Sequence, residues 1–571
     1  MRKELIMKQK GISTSTDPGP FSFKMAFGLA FFASLLVTLV VFFNIVLRLD
    51  IFHWDESHHA VYGLWVSQAL RAFDWSGFWY WTNHQAYWPF FHSWLLAIFF
   101  LFFGVSATSA RGLSVLIFFV TAVLTYLAGS KILDKKDWRP GLLATALVLT
   151  SPLMISFAAQ NMLEGLGGVE LIAAVYAYLI AKEKKQWYWF LLLGGLLGLT
   201  VITKYNYAVL IIASFVVVDL LDIFELPRVA GQAKAIAKPK SKHQLVKTVP
   251  TFLGFEKAPL LDWLRQTGVT ALPILLITLL WFFGADAERK WQMLLWTKSE
   301  VAGGQATLSG FWQNLLFYPQ AIVNDFVLSY WLGLLVLLAN LWLLLGLKCR
   351  RILKLQAIVW TTLLLSIFVI GNKMNRNIYF LAPAIFMIFS ASFFYYFDLA
   401  RAKLKNYRLL FLLLLLGLLV LAGLAWPRAV KMYSGDIQDI KHGLHVNRET
   451  KERVADSLRF FRDNIPQTGS ISAGSLYYVS PYVLYIYFRN WQAPVLTAFQ
   501  MSDPNFAKSD FFIALEYQDT QRFEAPMLEW LAVLRKNEAA QQLQLWRQKS
   551  WPDLGLTAKI YIKPNLNLLG R

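Results

Sequence analysis

PFFHSWLLAIFFLFF, residues 89–103, decides how this chain is arranged. If the segment crosses a membrane, every later segment changes side; if it does not, the order of sides is set by the segments around it. It is shorter than the ~17–25 apolar residues that span a bilayer. The longer apolar stretches lie on either side, at 25–47 before it and at 113–129, 142–157, 166–181, 187–202, 208–221, 269–283, 326–347, 355–370, 378–397 and 409–426 after it. These predict about eleven crossings, several of them short enough to need flanking aromatics or neighbouring helices.

The basic residues settle the role of 89–103. With this segment as a non-crossing, juxtamembrane or re-entrant helix, 28 of the 55 Lys and Arg fall in segments on the N-terminal side and nine in loops on the other side. With it as a crossing, 23 of those residues would move to the far side while the N-terminus stayed, against the positive-inside rule. The N-terminal side is therefore read as cytoplasmic, and the loop at 49–110 and the C-terminal tail as outward. No small-residue cleavage site follows the first apolar stretch, which predicts a retained helix rather than a removed signal peptide.

Composition agrees. In 571 residues, 57% are hydrophobic, 16% aromatic and 16% charged, which excludes a string of soluble domains, a disordered chain and a disulfide scaffold. The net charge of +20 follows from topology and from attraction to anionic cytoplasmic lipids, so it gives no support for nucleic acid. A single cysteine, Cys349, excludes an internal disulfide and any cysteine-built zinc or iron–sulfur site.

Four regions follow: a cytoplasmic N-terminus at 1–24, a transmembrane domain at 25–426 with a first outer loop at 49–110 and a basic cytoplasmic loop at 223–268, and an outward domain at 427–571. The Ala/Lys-rich stretch 228–247 has few apolar anchors and reads as a flexible linker. In the outward domain, apolar positions at helical spacing predict helices at 448–465 and 525–537, and SISAG (470–474) and FFIALEY (511–517) predict strands. This is a small α/β unit without a nucleophile or metal motif.

Acidic and imidazole groups concentrate at the start of the first outer loop, in HWDESHHAVYGLW (53–65). Asp55 and Glu56 follow a membrane helix directly, where a charge costs roughly 2.5–3.5 kcal/mol on insertion scales, so the pair is a functional candidate. A helix starting near Trp54 puts Asp55, His58 and His59 at i, i+3 and i+4. That face could hold a divalent cation, Asp55 could orient a histidine, or Asp55 could simply cap the helix. Glu164 stands in the short loop after the third crossing, Lys204 between the fifth and sixth, and Arg111 and Arg376 at other helix ends on the same side. Each cation alone could be snorkelling to headgroups; their convergence with the acids suits transfer of a group from a lipid phosphate. A carboxylate would take the acceptor proton, and cations would balance the departing phosphate. No glycine-rich nucleotide loop is present, in keeping with a lipid-carried donor.

Taken together, the Asp-Glu pair after the first helix, the stretch WPFFHSWLLAIFFLFFGVSATSARGLSVL (88–116), the acid after the third crossing, LTVITK (199–204) and RNIYFLAPAIFMIFSA (376–391) resemble the protein O-mannosyltransferase-like glycosyltransferases of the glycosyltransferase-C superfamily, a group that includes the lipid A aminoarabinose transferases. The resemblance implies a polytopic α-helical enzyme of the bacterial inner membrane, active site and C-terminus facing the periplasm. It would transfer a sugar with inversion from a polyprenyl-phosphate carrier to an acceptor hydroxyl on a protein, lipid or glycan, with no required cofactor. It also implies Asp55 near the acceptor, Glu56 as the second acid of the pair, Glu164 as the second-loop acid, Arg111 as the arginine opening the next helix and Lys204 as the lysine closing the fifth. Many members carry a His-Pro-Pro or Lys-Pro-Pro-Leu turn where this chain has HQAYWPF (84–90), so His84 would stand at the phosphate-contacting position and Pro89 is displaced downstream. With Lys204, Arg111 and Arg376, His84 completes the expected donor-phosphate set. A lipid-linked sugar transporter or polymer-export component is the alternative reading; no internal repeat of paired halves supports it.

Overall fold

The computed structural model describes residues 22–564 except 49–51, 53, 87, 134–136, 237–250, 253–254, 303–307, 343–348, 370–374, 404–406, 434–447, 474–480, 488–494, 498–507, 518–524 and 553–554. Each of the eleven predicted crossings overlaps a helix among the described residues; residues 343–347 and 370 of two of them lie outside those residues. Seven helices are individually long and apolar enough to cross a membrane, among the described residues. They begin with α1 (Phe23–Asn44), continued to Arg48 by a short 3-10 turn.

Next come α2 (Trp54–Arg71), α3 (Trp75–Asn83) and α4 (Phe91–Phe103), which form the first loop. The thirteen residues of α4 rise roughly 20 Å at 1.5 Å each, too little for a ~30 Å hydrocarbon core. The helix stops at Gly104, whose φ of +76° lies where only glycine is unstrained. It packs instead on α2, where a Cβ on Gly63 would come within 2.8 Å of Leu96.

The bundle continues with α5 (Ala107–Gly129), then α6 (Trp138–Leu149) and α7 (Pro152–Ala158), which together replace the single crossing expected at 142–157. They bend by 63°. Pro152 opens α7 and Ser151 caps it by accepting from Met154 N, so the break is written locally. Gly129 and Gly141 let α5 and α6 cross closely: a Cβ on Gly129 would lie 2.8 Å from the Gly141 Cα. Then come α8 (Glu164–Lys184), α9 (Trp187–Thr203) and α10 (Tyr205–Ile236). Helix α10 runs through 228–236, read from sequence as linker, because Ala, Gln and Lys are good helix formers. The rest of that stretch lies outside the described residues.

Beyond the small β1 (Thr251–Phe252) and β2 (Phe255–Glu256) ladder follow α11 (Lys257–Phe282), α12 (Ala287–Ala302), α13 (Leu308–Asp325), α14 (Tyr330–Trp342), α15 (Arg350–Val369), a 3-10 segment (Asn375–Leu381) and α16 (Ala382–Lys403). Helix α17 (Tyr407–Tyr433) runs past the boundary expected at 427, with Pro427 inside it. Tyr433 OH donates to the Leu149 carbonyl at 2.8 Å, tying the end of α17 to the end of α6.

The C-terminal unit contains α18 (Arg448–Asn464), β3 (Ile471–Ala473), α19 (Pro481–Tyr487), β4 (Val495–Thr497), β5 (Phe511–Tyr517), α20 (Ala525–Ala539), β6 (Gln544–Trp551) and β7 (Leu556–Ile562). The sheet order is β4-β3-β5-β7-β6, parallel through β4, β3 and β5, then antiparallel. Both predicted helices and both predicted strands are present. The unit rests on the first loop: Tyr485 of α19 meets the Trp65 ring of α2 edge-on at 5.7 Å.

Candidate active site

Adjacent acids point to different fates. On the first turn of α2, the 100° step between neighbours sends Glu56 into the bundle and leaves Asp55 at its edge. Glu56 is fully buried, and its Oε1 and Oε2 accept from Nε and Nη2 of the equally buried Arg111, each at 2.9 Å. Oε1 also accepts from Asn161 N at 2.8 Å, and the Asn161 amide donates to the Glu56 carbonyl at 2.9 Å. Three segments, α2, α5 and the α7–α8 loop, are thereby joined by one carboxylate.

Asp55 accepts instead from Arg376 Nη1 at 2.7 Å, across 321 residues of sequence, and both side chains keep about a quarter or a fifth of their exposure (25% and 21%). Glu164, the first residue of α8, accepts from Lys204 Nζ at 3.0 Å. This pair is nearly dry, 1% and 6% exposed. Lys204 Nζ also stands 4.8 Å from the Tyr207 ring and 5.3 Å from the Trp88 ring. Gly167 makes room for Tyr207, since a Cβ there would lie 2.5 Å from the ring. Glu164 Oε2 is buried with no hydrogen-bond partner among the described residues. Arg376 lies within electrostatic reach of both Asp55 and Glu164, and Lys204 within reach of Arg376 and Asp55. Asp55, Glu164, Lys204 and Arg376 thus form one cluster of alternating charge.

His84 is the C-cap of α3, with its ring stacked on Tyr80 at 5.4 Å. Burial, then Arg289, lower its pKa, with Asp286 opposing, so at neutral pH it is an imidazole rather than a cation. His58 is pushed down to about 4 by burial, with Asp55 opposing. His59 falls well below its ordinary range through burial and through His92, His58, Lys204 and Arg376.

The trio Asp55, His58 and His59 does not close into a cation site: among the described residues no group of three or more His, Cys, Asp or Glu is placed to hold a metal ion. Asp55 is drawn to Arg376, while the His59 ring packs against Trp88 and His92. Helical spacing put the three on neighbouring positions, but the cations around them disfavour another positive charge.

Sequence reading missed Glu170, buried on α8 and accepting from Thr203 Oγ1, so that α8 and the end of α9 are joined beside Lys204. An acid inside an apolar helix was the available signal. It also passed over Tyr205 and Lys290, which carry no motif.

Residues 88–225 match the family model of dolichyl-phosphate-mannose-protein mannosyltransferases, a span that includes Arg111, Glu164 and Lys204 but neither Asp55 nor Arg376. Comparison with curated proteins gives no match. Among solved structures, the chain is similar to ArnT from Cupriavidus metallidurans bound to undecaprenyl phosphate, at 13% identity and a TM-score of 0.59 over 93% of this chain and 98% of that one. It is similar to ArnT of the same organism in the apo state at 14% identity and a TM-score of 0.51, over 92% and 97%. The chain thus carries helices long and apolar enough for several membrane crossings and shares the fold of these ArnT structures, with residues 88–225 similar to the mannosyltransferase family model.

Proposed function

We propose that this chain is an integral membrane glycosyltransferase that moves a sugar from a polyprenyl-phosphate carrier to an acceptor hydroxyl at the outer, periplasmic face of a bacterial plasma membrane, with inversion. The observation that carries this reading is the partly exposed Asp55–Arg376 pair next to the nearly dry Glu164–Lys204 pair. The carboxylate of Asp55, about a quarter exposed, is reachable by an acceptor, and two cations from separate segments, Arg376 and Lys204, stand within its electrostatic reach. The undecaprenyl phosphate named for the similar ArnT structure supports a lipid-phosphate carrier.

In this reading Asp55 takes the acceptor hydroxyl proton as the oxygen attacks the anomeric carbon. The bond from that carbon to the phosphate oxygen breaks, its electron pair staying with the phosphate, and Lys204 and Arg376 balance the charge that grows there. Glu164 holds Lys204 in place. Glu56 and Arg111, sealed in their mutual pair, fix the geometry of the Asp55 turn and are assigned no contact with substrate. His84 contributes hydrogen bonds to the phosphate end. No step is routed through a metal ion. The helical bundle does the chemistry, and the C-terminal α/β unit that begins at α18 stands outside the membrane against the first loop.

The test is mass spectrometry of lipid extracts from cells whose only copy is wild type or Asp55→Asn. Accumulation of a polyprenyl-phosphate sugar in the variant alone is expected. Unchanged lipids at normal protein levels would refute the assignment and favour a transporter.

A further inference from the structure

Lys290 lies on α12, in the connection between α11 and α13, and is fully buried. Burying an ammonium is costly unless every donor is satisfied. Here Nζ donates to Asn83 Oδ1 at 3.1 Å and to the Trp281 carbonyl at 3.1 Å, and it stands 3.7 Å from the centroid of the Trp281 ring. Two acceptors and a π face account for its three N–H bonds. The Trp281 carbonyl is one of the last four of α11, which lack intrahelical partners and carry the negative end of the helix dipole. Among the described residues no carboxylate forms an ion pair with Lys290.

From this point a chain of contacts runs toward the charged cluster. Trp281 Nε1 donates to Tyr205 OH at 3.2 Å, and Tyr205 OH donates to the Ala86 carbonyl at 2.8 Å. The turn 83–86 is therefore gripped at both ends, at Asn83 by Lys290 and at Ala86 by Tyr205. Between the grips lie His84 and Gln85, the latter accepting from Ser93 Oγ. Tyr205 directly follows Lys204 in sequence.

We propose that Lys290 is a positioning residue for the phosphate end of the site: through Asn83 and the end of α11 it fixes the turn carrying His84 relative to the segment carrying Lys204. The inference rests on the donor-phosphate reading of His84 and Lys204. It gives α12, to which no sequence motif drew attention, a defined role in lipid-phosphate binding.

The experiment measures binding of undecaprenyl phosphate to the full-length, detergent-solubilised protein. Lys290→Met keeps the stem and removes the charge, and is expected to weaken binding roughly tenfold. His84→Ala weakens it by a similar factor, and the double variant binds no worse than about twofold below the weaker single one, because a loosened turn has already lost its contact. Asn83→Leu cuts the same link while leaving Lys290 its carbonyl and ring. It is expected to reproduce the loss with a folded, monodisperse protein even where Lys290→Met misfolds. Wild-type affinity in Asn83→Leu, or losses that multiply to roughly a hundredfold in the double variant, would overturn the inference. Wild-type protein that does not bind undecaprenyl phosphate would overturn the donor reading itself, and this inference with it.

Discussion

Neighbouring acids should respond to mutation in opposite ways, and Glu56 gives the sharper test. Its carboxylate takes two hydrogen bonds from Arg111 and one from Asn161 N among the described residues, in a site with no exposure on either charged side chain. In Glu56→Gln the side-chain volume is kept, but the guanidinium loses its counter-charge and an amide N–H must face a donor. Removing one partner of a buried pair costs about 3–5 kcal/mol. That corresponds to roughly two to almost four powers of ten in a folding equilibrium. Because large membrane proteins unfold irreversibly, the readout is the half-life of monodisperse protein in detergent at a fixed raised temperature, supported by the apparent Tm. Glu56→Gln should shorten that half-life severely. The double variant Glu56→Leu, Arg111→Met removes both charges and should recover much of the loss, since replacing a whole buried pair with apolar groups is often close to neutral. Asp55→Asn, at a partly exposed pair, should leave the half-life near wild type. A stable Glu56→Gln protein, or a double variant that loses the sum of both single losses, would refute the assignment of Glu56 and Arg111 as a buried clamp.

Lys204→Met should reduce transfer by roughly 10²- to 10³-fold, and Lys204→Arg should not restore it, because the slot between Trp88 and Tyr207 is shaped for an ammonium; recovery by arginine, measured on the donor lipid, would count against this role. His58 has a folded-state pKa of about 4 against 6.5 for the free group, so its neutral form is the one the fold favours. Its contribution to stability is complete above about pH 6.5 and is lost as pH falls from there toward 4. The apparent Tm should drop across that window, and His58→Asn should flatten the drop; an unchanged slope would show that other groups control it.

Local patterns carried most of the architecture. Long apolar runs wrote the helices, and short apolar runs wrote β3 and β5, whereas the break at Ser151-Pro152 divides what the sequence reads as one crossing. The edge strand β6 escaped because its exposed polar residues leave little alternation to read, whereas β7, LTAKIYI, alternates and sequence reading simply passed over it.

By itself the sequence determined that acids and cations gather at one set of helix ends, because charge is tolerated at helix ends and is costly within the spans. Only the tertiary structure decided their partners. Asp55 and Glu56 are adjacent and chemically alike, yet one meets Arg376 from 321 residues away and the other is sealed against Arg111. Of the roles open to Asp55 by helical spacing, a cation site, a histidine orienter or a helix cap, none names Arg376, the partner the fold supplies. Lys290 reaches Asn83 across 207 residues through the packing of α12 on the end of α11. Periodicity is a property of neighbouring residues, whereas an ion pair depends on where separate helices bring their ends, and that is fixed by packing of the whole bundle.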